Sequence, residues 1–238
     1  SKCFSTFSPS FHEFLKNYGG EQLDKELSRE DIGLDGSFGG GNHQNGKQTR
    51  NRPVIIIHGI TNYAGQFERI RQYFLTHGYN DEEVYGTTYG DAGKTSVLLV
   101  TMQCHYAIMG GNCVDTGDQL GPPLTDLIQT FVGVAGVNWG SFLCIIPIGS
   151  CNLINGMACG SKFLNDINSR QKYEGTFIYT IISTGDDKVG YQACGRLASS
   201  IIGENQSFKQ EGLNHDQVIF DTAAMQYNLI TYGHPQDP

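Results

Sequence analysis

Cleaving an ester takes a nucleophile, a base to accept its proton, an acid to orient the base, and backbone N–H donors for the developing oxyanion. The chain offers three of these in separate short segments. Asp186 lies in Ser183-Thr184-Gly185-Asp186-Asp187 and His215 in Gly212-Leu213-Asn214-His215-Asp216-Gln217-Val218, so a carboxylate precedes a histidine by 29 positions. Upstream, Pro53-Val54-Ile55-Ile56-Ile57-His58-Gly59 is an apolar run ending at a glycine turn, after which the amide of Ile60 can face an oxyanion. Asp186 and His215 each also fit a plainer role, the first in a solvated Asp186-Asp187-Lys188 turn, the second as a surface or capping residue before a helix. His58 reads as space-filling beside the turn.

The nucleophile is not found. No G-x-S-x-G occurs in the chain; that motif marks the strained strand-to-helix turn that exposes a reactive hydroxyl. Ser141 follows a predicted strand and Gly140, and Ser183 precedes Asp186, but neither has the flanking glycines that relax such a turn. Both read as structural or capping hydroxyls. Gly93-Lys94-Thr95 ends like a phosphate-binding loop, yet the earlier glycine would fall at position 88, which is Thr88. The seven histidines contain no H-E-x-x-H and the cysteines no C-x-x-C. Neither a metal nor a cofactor is expected.

Residues this far apart need a scaffold that gathers loops at one edge. The run 54–57 is β-branched without polar alternation, which predicts a strand buried on both faces of a parallel sheet. Further strands are predicted over 84–89, 131–137 and 177–183. Between the first two, Phe67, Ile70, Phe74 and Leu75 recur at helical spacing and Gly78 supplies a stop, so a helix is predicted over 66–77. Asn214 and Gln217 have capping-box spacing ahead of one helix carrying Val218, Thr222, Met225 and Leu229, which puts His215 at its mouth. Alternating strands and helices predict an α/β fold with a mostly parallel sheet and flanking helices. Residues 1–52 hold an amphipathic stretch, an acidic-basic mix and a glycine-rich loop at 36–46, and read as an N-terminal arm; 53–238 read as a single domain.

Composition narrows the partners. A net charge of −8 disfavours nucleic acid, whose binding rests on clustered Lys and Arg. No apolar run approaches the roughly 18 residues of a membrane span; runs such as 54–57 and 97–100 are much shorter. Glycine, at 31 of 238 residues, is close to twice its usual share of about 7%, which favours many loops. Three of the seven cysteines crowd between Cys144 and Cys159 beside Gly and Asn, as disulfide-stapled loops of an oxidising compartment do. With the sequon Asn205-Gln206-Ser207, this predicts a secreted protein. The chain starts at Ser1 with no apolar signal core, so it reads as processed or a fragment.

The wording of the segments adds to their spacing. YGTTYGD at 85–91, FVGVAGVNWGSFLC at 131–144, SKFLNDIN at 161–168, STGDDKVGYQACGRL at 183–197 and GLNHDQV at 212–218 closely resemble the secreted class 2 lipases of nematodes, relatives of the small bacterial EstA and EstB type lipases. The resemblance spans nearly the whole chain. It implies an α/β-hydrolase fold, hydrolysis of carboxylic esters of lipids, Asp186 as triad acid, His215 as general base and Ile60 as oxyanion donor. It also implies a lipid or small-ester substrate and transient contact with a lipid interface.

In that family a buried strand and an elbow similar to Y-S-M-G separate the regions like 102–106 and 107–115. Here Tyr106 runs straight into Ala107. The fold is therefore expected to lack its central elbow strand, and the chain to be a lipase or carboxylesterase relative with lost or weak turnover. The alternatives are a secreted, non-catalytic lipid-binding protein and a truncated gene-model product.

Overall fold

A computed structural model describes residues 6–94, 108–113 and 116–234. The Tyr106–Ala107 join and the run 97–100 lie outside the described residues, as do Cys3 and Cys104. The chain divides into two compact units, Ser1–Ser96 and Val97–Pro238.

The first unit begins with α1 (Pro9–Ser28), started by Ser8, whose hydroxyl accepts the Phe11 N–H at 3.3 Å, and by Pro9 at a position where no amide is needed. Gly20, at φ 82°, kinks it. Three short strands follow in chain order, β1 (Ser37–Phe38), β2 (Val54–Ile56) and β3 (Val84–Thr87), with α2 (Glu68–Thr76) between the last two. β3 is central, parallel to β2 with Val54 opposite Val84 and antiparallel to β1 with Phe38 opposite Gly86. The segment before β2 thus contributes a strand of its own, and Phe38 is fully buried.

β2 departs from expectation. Val54 and His58 are buried, but Ile55 is 70% and Ile57 67% exposed. A parallel strand is buried on both faces only where both are covered, and the described residues of the first unit cover the face of Val54 alone. α2 matches its apolar spacing, since Ile70 and Phe74 are buried, and a 3-10 turn over Ala64–Phe67 leads into it.

The second unit holds β4 (Thr130–Val134), α3 (Lys162–Ile167), β5 (Phe177–Ser183), the hairpin strands β6 (Gln192–Ala193) and β7 (Arg196–Leu197), then β8 (Gln206–Gln210), α4 (His215–Phe220) and α5 (Ala223–Tyr232). β5 is central, parallel to β4 with Thr130 opposite Phe177 and to β8 with Ser183 opposite Gln210. From Ile178 to Ser183 every residue of β5 is buried, the pattern of a strand covered on both faces. α4 packs on β5 and α5 on β4, burying Val218 and Leu229 completely.

Here too the outline was predicted better than the detail. β4 ends earlier than expected, at Val134, where Ala135 turns to φ 50°. β8 was not foreseen because Gln206-Ser207-Phe208-Lys209-Gln210 is polar, as suits the outermost strand of a sheet. The single C-terminal helix is two helices. The Thr222 hydroxyl donates to the Val218 carbonyl at 2.7 Å, a side-chain bond to the backbone of the kind that competes with regular helix.

Disulfides join Cys144 to Cys151 and Cys159 to Cys194, and Cys113 is also disulfide-bonded. No helix among the described residues is long and apolar enough to cross a membrane. The architecture is mixed α/β with parallel pairings and flanking helices, compatible with an α/β-hydrolase-like fold.

Candidate functional site

Because β5 and β8 are parallel neighbours, their carboxyl ends leave the sheet on the same side, where α/β folds place their ligands. The two exits are laced together. The Thr184 N–H donates to the Gln210 carbonyl at 3.0 Å, the Gly212 N–H to the Thr184 hydroxyl at 2.9 Å, and the Ser183 hydroxyl to the Leu213 carbonyl at 2.5 Å. Gly185 permits this approach, because a Cβ there would stand 2.7 Å from the Gly212 carbonyl group.

The lacing delivers Asp186 and His215 to each other. His215 Nδ1 lies 2.9 Å from Asp186 Oδ2 and 3.2 Å from Oδ1. The Asp186 side chain is 2% exposed and that of His215 17%. Asp186 Oδ1 also accepts the N–H groups of Lys188 at 3.0 Å, Val189 at 2.8 Å and Gly190 at 3.4 Å. Burial alone would push the carboxyl up; the His215 bond and the Val189 and Lys188 amides outweigh it and hold Asp186 below the ordinary aspartate value.

His215 is held from the other side too. Asn214 caps α4 by accepting the Gln217 N–H at 2.9 Å, while Gln217 Oε1 accepts the Asn214 N–H at 2.9 Å. The His215 amide donates to Asp187 Oδ1 at 3.1 Å, and Lys188 Nζ pairs with Asp216 Oδ1 at 2.7 Å across the same two loops. An ionised Asp186 can only accept, so His215 Nδ1 carries a proton toward it, and in the neutral ring the lone pair is on Nε2. Among the described residues Nε2 has no partner, which leaves it able to take a proton from a bound group.

The serines lie elsewhere in their bonding. Ser183 is buried with its hydroxyl given to Leu213, and Ser141 is buried with its hydroxyl donated to the Lys188 carbonyl at 2.7 Å. Ser37, in Gly36-Ser37-Phe38-Gly39, sits fully buried in β1 and accepts the Phe7 N–H at 3.3 Å. Neither Ser141 nor Ser183 is bonded to His215.

Ile60 belongs to the first unit, at the turn after β2, with Thr61 next at φ 67° and the Asn62 N–H closing back on the Gly59 carbonyl at 3.2 Å. His58 braces this turn. Its Nε2 accepts the Tyr89 N–H at 3.0 Å, so Nδ1–H donates to the Gly59 carbonyl at 2.7 Å, and its ring stacks on Tyr89 at 4.1 Å. Burial lowers the His58 pKa and favours this neutral form.

Missing from the sequence reading was the grip on Asp186. Three successive amides converge on one oxygen, and nothing in the letters Lys188-Val189-Gly190 announces it. The link from Ser141 to this same loop also joins segments 47 residues apart, visible only in three dimensions.

Hydrolytic α/β folds set an acid and a base at the carboxyl ends of their strands, the kind of place where Asp186 and His215 meet. The sequence profile of the class 2 lipases matches residues 51–107 and 105–228. The chain belongs to the class 2 lipase family. No curated protein and no solved structure matches it.

Proposed function

We propose that this protein is a secreted relative of ester-cleaving lipases in which Asp186 and His215 are the acid and base, Ile60 is an oxyanion donor, and the serine elbow is absent. The hydrogen bond from His215 to the buried Asp186 carries the acid-base part. Asp186 fixes the ring and its tautomer, and would stabilise the imidazolium formed when Nε2 takes a proton. Ile60 occupies the turn after the apolar strand, the place the resemblance gives to the oxyanion donor.

Three observations support an absent elbow. The chain has no G-x-S-x-G, the family match falls in two segments that meet at 105–107, and among the described residues β2 and β4 are each outermost in their own sheets. In the family's fold, those two strands flank the elbow strand. Without the serine, His215 can still act as general base toward a water, which attacks the ester carbonyl as its proton passes to Nε2; the ester C–O bond then breaks and the alkoxide takes that proton to leave as the alcohol. Loss of the serine in a comparable triad lowers turnover about a million-fold, so this route is slow. The disulfides suit an oxidising, extracellular setting.

Steady-state hydrolysis of a p-nitrophenyl ester by the full chain tests both parts. The expected result is slow turnover that diisopropyl fluorophosphate does not inhibit and that His215→Ala abolishes. Stoichiometric labelling of a serine by the organophosphate, with fast turnover, would refute the absent elbow. Turnover indifferent to His215→Ala would refute the acid-base assignment.

A further inference from the structure

The segment 142–154 presents its apolar side chains to solvent in a way ordinary loops do not. Ile145 is 87% exposed, Ile146 65%, and Leu143, Ile148 and Leu153 more than half. From Leu127 to Ser161 the chain contains no Asp, Glu, Lys, Arg or His. Contiguous exposed apolar surface on a folded protein marks a place where something else covers it.

Part of the backbone beneath these side chains is bonded within the segment or to its immediate neighbours. Cys144 N–H donates to the Ser141 carbonyl, Cys151 N–H to Ile148, Asn152 N–H to Gly149 and Met157 N–H to Ser150, at 2.7 to 3.1 Å. Asn152 adds the Ile154 and Asn155 amides through its side-chain oxygen, at 2.8 and 2.9 Å. Pro147 has no amide to pair. The Cys144–Cys151 disulfide closes the loop and Cys159–Cys194 ties its far end to the hairpin of β6 and β7.

The loop is also bolted to the Asp186 turn. Ser141 donates to the Lys188 carbonyl and the Phe142 N–H to the Val189 carbonyl at 3.1 Å. Those are the residues whose amides hold Asp186. A Cβ at Gly190 would meet the Phe142 ring at 2.6 Å, so the ring lies directly on this turn.

We propose that residues 142–154 dock the protein onto an uncharged or zwitterionic lipid surface and so carry the Asp186 and His215 loops to it. Lipid as the occupant rests on the lipase-family reading above; charge selects its kind. With no cation in the loop and a net charge of −8, the protein has no attraction for an anionic bilayer.

Sedimentation of the full chain with sucrose-loaded phosphatidylcholine vesicles tests this. Binding is expected, and the pair Ile145→Ser with Ile146→Ser should weaken it about ten- to a hundredfold, while circular dichroism stays unchanged because both side chains are exposed. Leu127→Ser, at a side chain 79% exposed outside the loop, should leave binding unchanged, and added phosphatidylglycerol should weaken it. Absence of sedimentation, equal loss in Leu127→Ser, or self-association that the double variant abolishes without any vesicle binding would overturn the proposal. Hydrolysis of a soluble p-nitrophenyl ester separates the two readings. Binding without turnover removes the catalytic reading and leaves docking; turnover without binding does the reverse.

Discussion

Removing the Asp186 carboxylate in two ways separates what it holds from what it charges. Asp186→Ala frees the Lys188, Val189 and Gly190 amides and the His215 Nδ1–H together, and at least the Val189 and Gly190 bonds are buried. Each buried donor left unpaired costs about 1–3 kcal/mol, and bonds to a charged acceptor lie toward the upper end. The Gly190 bond, at 3.4 Å, is long and contributes least. Two well-made backbone bonds, offset by no longer burying a charge, give an expected loss of about 3 kcal/mol, a large part of a typical total of about 5–15. Asp186→Asn keeps a side-chain oxygen where the amides converge and should cost only about 1 kcal/mol. Its NH₂ then faces His215, forcing Nδ1 to accept and the ring proton onto Nε2. Urea denaturation followed by far-ultraviolet circular dichroism gives the two losses, and ¹⁵N chemical shifts of the His215 ring give the tautomer. Equal midpoints for the two variants, or an unchanged tautomer in Asp186→Asn, would refute the account of this site.

Four further outcomes follow from the structure. Because the folded state holds Asp186 below its ordinary pKa, its stabilising contribution is complete above the unfolded value of about 3.9 and is lost as pH falls through the folded value; acid unfolding should steepen below about pH 4, and Asp186→Asn should lack that component. Glu204 shows the opposite sign. Burial raises its pKa despite the bond from Thr180, so its ionisation opposes folding as pH rises, and Glu204→Gln should raise the urea midpoint at neutral pH with the gain vanishing in acid. Replacing Cys159 and Cys194 together by Ser opens a loop of 35 residues and should cost about 3–4 kcal/mol, against about 2 for Cys144 and Cys151 with a separation of 7; equal losses in thermal unfolding would show that loop length is not the controlling quantity. Val218→Ala, at a fully buried side chain of α4, should lower stability by about 1–3 kcal/mol in the same assay.

Periodicity and order along the chain were enough to place the strands near 84, 131 and 177 and the helix near 68, because a long apolar run or a 3.6-residue repeat is a local property of covalent neighbours. The capping box of Asn214 and Gln217 was legible for the same reason, since both its bonds lie within one turn. Local pattern could not say that Ile55 and Ile57 face outward, because burial depends on what covers a strand rather than on the strand. Nor could it find β8, whose polar residues become a strand only through the ladder that β5 offers. The order of Asp186 before His215 was plain in the letters, whereas their 2.9 Å contact, the amide grip on Asp186 and the tie from Ser141 arise from two parallel strands ending side by side. Sequence alone settled residue types, order and local periodicity, which covalent connectivity carries; tertiary structure decided contact and exposure, which depend on segments far apart in the chain meeting in space.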